Sequence, residues 1–168
     1  MQHINNIVPS TLSAARSDVL DAFADLEYSV IEALKAMQLE ISCSNAPLGQ
    51  KLEKLAGLKP TPKLSKASAK IITDAASKAQ SLNEIRNDIV HSRLRSIANH
   101  PEIAIYLNAR TINQPYPTAR VMTIDQHAKL AVEVRAVTTC LTNFRNAQQK
   151  ATNPPSQPQP SPDAAAGP

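Results

Sequence analysis

Three polar side chains lie close together in the stretch RNDIVH, which spans residues 86–91. Arg86 supplies a guanidinium group, Asn87 a carboxamide and His91 an imidazole. An imidazole can take or give a proton near neutral pH, and a guanidinium group stabilises negative charge that builds up on a phosphate. The set therefore suits acid–base chemistry on a phosphodiester bond, provided that all three side chains are accessible.

The surrounding stretch SLNEIRNDIVHSRL has the periodicity of an α-helix, which we expect to run over residues 81–96. On a helical wheel its core side consists of Leu82, Ile85 and Ile89. Asn87 and His91 are one turn apart and lie nearly opposite that side. This predicts a polar, accessible face in the middle of a helix. An ordinary surface helix also carries Arg, Asn and His, so a site without chemistry stays open as an alternative.

The segment RNDIVH resembles the Arg-x4-6-His motif of HEPN-domain ribonucleases, in which the residue after the arginine is often asparagine. The resemblance rests on this motif and on the order of helices over residues 10–150. It implies a homodimer that cleaves RNA without metal, at a composite site between two copies, through attack by the ribose 2′-OH. His91 would then transfer protons, Arg86 would stabilise phosphate charge, and Asn87 would orient His91 or bind a phosphate oxygen. It also implies a toxin or antiphage role, with an antitoxin or regulatory protein as a further partner.

Charge is distributed unevenly along the chain. Residues 1–50 carry two basic and six acidic side chains, whereas residues 51–150 carry sixteen basic and seven acidic ones. A basic segment attracts nucleic acid, although it can also dock on the acidic first helix or remain solvated. Five residues beyond the motif are expected to contact RNA: Arg93, Arg95, Tyr106, Arg110 and Arg120.

The composition favours helices, because Gly is rare and Ala, Leu, Lys, Gln and Glu are frequent. We predict an all-α fold, a helical bundle of about five helices over residues 1–150. A long first helix spans residues 10–41, a short one residues 48–58, and two more follow before residue 97. A small β-hairpin is expected at residues 101–123, before a last helix that begins with the capping pair Thr123 and Gln126.

The end of the chain, residues 151–168, is rich in Pro, Ala and Gln and is expected to form a disordered tail. No apolar run is long enough for a membrane helix, and no spacing of ligands predicts a metal or cofactor site. The two cysteines, Cys43 and Cys140, do not make a disulfide framework, so a protein of the reducing cytoplasm is expected. Two other classes of function stay open: a helical dimer that acts as a protein-interaction adaptor, and a nucleic-acid-binding regulator without chemistry.

Overall fold

The described residues form four helices and one antiparallel sheet. The computed structural model describes residues 4–5, 8–39, 46–62, 64–110, 113 and 118–152. The helices are α1 Ser10–Ala36, α2 Leu48–Ala56, α3 Lys66–Val90 and α4 Ile124–Thr152. The strands are β1 Ile4–Asn5, β2 Ser92–Ile97, β3 His100–Asn108 and β4 Ala119–Thr123, and they neighbour one another in this order. The prediction of an all-α bundle of about five helices with a hairpin is therefore wrong, since the chain is mostly helical but contains a sheet.

The first helix, α1, buries an apolar stripe that the sequence predicted correctly. Buried residues recur every three or four positions, as one side of a helix requires: Leu12, Val19, Phe23, Leu26, Val30 and Leu34. The helix ends at Ala36, five residues before the predicted end. Gln38 has a φ of 55°, and a residue in this left-handed region cannot continue a right-handed helix.

The third helix, α3, is one continuous element of 25 residues, where the sequence predicted two. It begins at Ser65, whose side-chain oxygen accepts a hydrogen bond from the amide of Ser68 at 3.1 Å. The predicted second start at Ser81 is wrong, because the Ser81 hydroxyl donates to the carbonyl of Lys78 at 2.8 Å. A serine bonded back along its own helix does not cap a new one, so the helix continues past it.

The end of α3 also differs from the prediction. The helix stops at Val90, and β2 occupies residues that were expected to be helical. The change of direction between β2 and β3 includes Asn99, which has a φ of 67°. Asparagine tolerates this left-handed conformation better than most residues. The segment SRLRSI forms a strand because it pairs with β3, a long-range contact that local periodicity does not reveal.

The sheet has one face on the core and one face away from it. The inner face contacts the helical core and contains Leu94, Ser96, Ala104, Tyr106 and Met122. The outer face contains the alternate residues Arg93, Arg95, Ile103, Ile105, Leu107 and Val121. The helices pack mainly as α1 on α4, α2 on α3 and α3 on α4. The two strands predicted at residues 101–110 and 118–123 are present as β3 and β4, but they belong to a four-stranded sheet and not to an isolated hairpin. Strands β1 and β2 were missed.

The last helix begins as predicted. The amide of Thr123 donates to Oε1 of Gln126 at 2.8 Å, and the amide of Gln126 donates to Oγ1 of Thr123 at 3.2 Å. The tail predicted to be disordered lies outside the described residues from position 153 onward. Within the described part of the chain, none of the four helices has the length and apolar character that a membrane crossing requires.

Candidate functional site

The motif residues lie at the end of α3. The predicted core side is confirmed, since Leu82 and Ile89 are buried and Ile85 packs against the core. Asn87 and His91 are exposed, and Arg86 is half-buried. His91 is not in mid-helix as predicted but is the residue that caps α3, and its amide donates to the carbonyl of Asn87 at 3.0 Å. The three side chains therefore occupy the last turns of α3, at its junction with the sheet.

Long-range contacts hold this junction in place. Nη2 of Arg16, on α1, donates to the carbonyl of Ile89 at 3.2 Å, so a guanidinium group meets one of the last carbonyls of α3. A cation at this end also complements the helix dipole. The amide of Ala109, just after β3, donates to the carbonyl of His91 at 3.2 Å. The backbone of His91 is thus tied to its own helix on one side and to the end of β3 on the other.

An ion pair joins the same end of α3 to β4. Nε and Nη2 of Arg120 both lie 2.7 Å from Oδ2 of Asp88. The two side chains are 37% and 40% exposed. A small cavity of about 60 Å³ lies beside the pair and is also lined by Ser92, Tyr106 and Asn108. Arg120, which the sequence assigned to RNA, is therefore already paired within the protein.

Arg86 and Asn87 line a larger, open cavity of about 520 Å³ between α2 and α3. The α2 side is formed by residues 47–50 with Glu53, and Gln80, Asn83 and Glu84 complete the α3 side. Arg86 is the single basic side chain in this lining, beside the carboxylates of Glu53 and Glu84. His91 does not belong to the lining. One subunit therefore places two of the three motif side chains in a common space and leaves the imidazole outside it.

Tyr106 is a buried structural residue and not an accessible aromatic ring. It is 1% exposed, and its hydroxyl lies 2.6 Å from Nε2 of His127, which is equally buried. Nδ1 of His127 is 2.7 Å from the carbonyl oxygen of Thr123. A carbonyl only accepts, so Nδ1 carries the proton and Nε2 accepts from the tyrosine. Burial raises the pKa of Tyr106 to about 12, partly opposed by the positive charge of Arg16. A ring this buried cannot stack on a base, so the structure does not support the predicted contact between Tyr106 and RNA.

The other arginines predicted to contact RNA differ in position. Arg93 and Arg95 lie on the outer face of the sheet, the first exposed and the second half-buried. Arg110 is exposed in the turn after β3, where its amide donates to Oδ1 of Asn108 at 2.9 Å. It directly follows Ala109, the residue bonded to the carbonyl of His91. The backbone therefore places Arg110 next to the motif.

The described residues contain no group of three or more His, Cys, Asp or Glu side chains that could hold a metal ion. Compared with models of protein families, with curated proteins and with solved structures, the chain matches none of them. Any assignment of function therefore depends on the residues themselves and on their placement.

The sequence missed two pairs that shape this junction. Asp88–Arg120 and Tyr106–His127 join residues that are 32 and 21 positions apart. The sequence hints at them only through the alternation in β3, which places Ile103, Ile105 and Leu107 on one side of the strand and Tyr106 on the other. The more apolar side of the strand would be expected to face the core, yet it is the side with Tyr106 that is buried. Pairs of this kind become recognisable only when the register of the sheet is known.

Proposed function

We propose that the protein is a metal-independent endoribonuclease of HEPN type that acts as a homodimer. The observation that carries this proposal is that the guanidinium group of Arg86 is unpaired. Arg86 is half-buried and lines an open cavity, and its guanidinium group has no ion pair or hydrogen-bond partner within the described chain. Arg16, Arg120 and Arg135, in contrast, all have partners. A guanidinium group that makes no ion pair or hydrogen bond is suited to bind a phosphate oxygen.

His91 supports the same proposal by its accessibility. It is exposed and follows Asn87 by one turn, and its backbone is fixed by two hydrogen bonds. In the proposed reaction an imidazole removes the proton from the ribose 2′-OH, whose oxygen then attacks phosphorus. The bond from phosphorus to the 5′-oxygen breaks, and a second imidazole gives that oxygen a proton. The products are a 2′,3′-cyclic phosphate and a 5′-hydroxyl, and Arg86 stabilises the charge on the non-bridging oxygens.

The proposed site needs two copies of the chain. Arg86 and His91 are five positions apart, which separates their directions by about 140° around a helix axis. The cavity beside Arg86 accordingly excludes His91 within one subunit. Two α3 ends packed about a two-fold axis would place the arginine of one copy near the histidine of the other. Arg110 lies at the same junction and would hold the RNA backbone there.

The decisive experiment measures cleavage of single-stranded RNA in excess EDTA by the wild type, His91→Ala and Arg86→Ala. We expect cyclic-phosphate ends from the wild type and a loss of at least about 100-fold in either variant. Matched controls are His100→Ala, an exposed histidine on β3, and Arg145→Ala, whose side chain bonds only its neighbour Asn146. Both controls should retain activity. Wild-type cleavage that needs an added divalent metal would refute the proposal, as would full activity in His91→Ala.

Expression in a bacterial host tests the toxin or antiphage role. The wild type is expected to arrest growth or to restrict phage, whereas His91→Ala at the same protein level does neither. Light scattering of each purified variant tests the dimer, and circular dichroism confirms that the variants fold. An inactive variant with an unchanged dimer and unchanged helicity assigns the loss to chemistry.

A non-catalytic helical dimer that binds nucleic acid or protein is the second candidate function. The carboxylates of Glu53 and Glu84 favour it, because they line the cavity of Arg86 and weaken its attraction for a phosphate. This candidate predicts salt-sensitive RNA binding that is equal in the wild type and in His91→Ala, with no product in either. Measuring binding and cleavage on the same labelled RNA separates the two candidates.

A further inference from the structure

The outer face of the sheet is apolar at its centre. The pairing register places Arg93, Leu107 and Ala119 in one row across β2, β3 and β4, and Arg95, Ile105 and Val121 in the next. Ile103 and Thr123 continue the pattern on β3 and β4. Cross-strand neighbours on one face lie within side-chain contact distance. These rows therefore form one surface, with apolar side chains on β3 and β4 and guanidinium groups on β2.

This surface is not part of the protein core. Ile103, Ile105 and Leu107 are half-buried, yet none of the three belongs to the core cluster or packs against it. Val121 is 57% exposed. The opposite face, in contrast, buries Ala104 and Tyr106 almost completely. The sheet thus has a covered inner face and, within the described chain, an outer face that no helix covers.

The charge of this surface has one sign. The side chains of Arg93 and Arg95 have no hydrogen bond or ion pair within the described part of the chain. The rows set by the register contain no carboxylate. The surface therefore presents an apolar strip bordered along β2 by two unpaired positive charges. A complementary ligand has an apolar face with carboxylates along one border.

The size of the surface limits its occupant. Three strands at about 4.8 Å spacing and five residues at about 3.3 Å give roughly 14 Å by 17 Å, or about 240 Å². A stable interface between two proteins buries about 800 Å² on each side. One helix of three turns, in contrast, is about 16 Å long and about 10 Å wide. We propose that the outer face binds an amphipathic helix of a partner protein, with its apolar side on β3 and β4 and its acidic border on Arg93 and Arg95.

Two other occupants fit this surface less well. Sheets that bind single-stranded RNA do so with aromatic side chains on which bases stack, and the rows of the outer face contain none. A second copy of the same face would bring together four guanidinium groups without a carboxylate, and the area is too small for a stable dimer. The sequence assigned Arg93 and Arg95 to RNA, but the composition of their rows favours an acidic protein segment.

The test is a binding titration of the full-length protein with a stapled helical peptide of about 14 residues, long enough for three turns. The peptide has leucines on one side and glutamates along their border. A second peptide carries lysines in place of the glutamates, and an oligouridine RNA of similar length serves as the third probe. The protein variants are Val121→Asp and the double variant Arg93→Glu with Arg95→Glu. The matched control is Val132→Asp on α4, where the native valine is 64% exposed.

We expect the acidic peptide to bind the wild type and Val132→Asp equally, and both outer-face variants at least about tenfold more weakly. If the lysine peptide binds the wild type as tightly as the glutamate peptide does, the proposal is overturned, because it depends on charge complementarity. If neither peptide binds the wild type and the double variant binds the RNA more weakly than the wild type does, the surface is a nucleic-acid-binding one. A change of oligomeric state in Val121→Asp, seen by light scattering, makes the surface a contact between copies. The peptide titrations do not measure cleavage by His91, so this inference and the proposed ribonuclease are tested separately.

Discussion

Replacing Tyr106 with phenylalanine removes one hydroxyl group from the centre of the junction between sheet and helices. The ring stays in place, because phenylalanine has the same shape and the site is 1% exposed. The hydrogen bond of 2.6 Å to Nε2 of His127 is lost. Nδ1 of that imidazole remains bonded to the carbonyl of Thr123, which fixes the tautomer. The substitution therefore leaves Nε2 as a buried acceptor with no donor.

The expected cost follows from this unsatisfied nitrogen. Leaving a buried polar group without a partner costs about 1–3 kcal/mol, whereas the net contribution of an ordinary hydrogen bond is nearer 1 kcal/mol. We expect Tyr106→Phe to lower the free energy of unfolding by about 2 kcal/mol. For a domain of this size, that corresponds to a fall in Tm of roughly 4–8 °C. Replacing His127 as well, by leucine, removes the orphaned acceptor.

Guanidinium denaturation followed by circular dichroism measures these free energies for the wild type, both single variants and the double variant. The double-variant cycle should give a coupling energy of about 1 kcal/mol or more between Tyr106 and His127. Tyr28→Phe is the matched control, since Tyr28 is 62% exposed and its loss should change stability by less than about 0.5 kcal/mol. The reasoning is refuted if Tyr106→Phe is as stable as this control, or if the coupling energy is zero.

Three further predictions concern Tyr106, the pair Asp88–Arg120, and an ion pair between α1 and α2, in which Nζ of Lys51 lies 2.7 Å from Oε1 of Glu27. Because burial raises the pKa of Tyr106 to about 12 from 10.0, the unfolded chain loses this proton first. The free energy of unfolding should therefore fall between about pH 10 and pH 12, by at most about 3 kcal/mol. In a titration of phenolate absorbance, the step at the highest pH should be absent from Tyr106→Phe. Asp88→Asn should cost less than about 1 kcal/mol in thermal denaturation, because both it and Arg120 are more than one-third exposed. Glu27→Gln should lower the free energy of unfolding by about 2 kcal/mol, because it leaves the ammonium group of Lys51, which is 3% exposed, without its counter-charge. Lys51→Met should cost less in the same assay, because the carboxylate that it leaves unpaired is 31% exposed.

Features with a local physical cause could be predicted from the sequence. The apolar stripe of α1 was correct because a helix repeats every 3.6 residues, and the same rule placed Asn87 and His91 opposite the core. The start of α4 was correct because Thr123 and Gln126 bond each other across one turn. The short helix at residues 48–56 and both strands of the hairpin carry similar local patterns.

Features set by pairing between distant segments could not be predicted. The segment from Ser92 to Ile97 continues the helical pattern of α3, but it gains a full ladder of hydrogen bonds with β3 once the chain folds back. Ser81 has the pattern of a cap, but its hydroxyl is satisfied within an uninterrupted helix. In both places the local preference is weak, and the contacts of the complete fold outweigh it.

The sequence by itself determined that the chain is mostly helical, which side of α3 faces the core, and the types of side chain that could act on a phosphodiester. Only the tertiary structure decided that α3 ends at His91, that Tyr106 faces inward onto His127, and that the outer face of the sheet carries the isoleucines with Arg93 and Arg95. The reason is physical. Helical periodicity depends on neighbours three and four positions away, whereas the facing of a strand depends on its register against partners many residues distant.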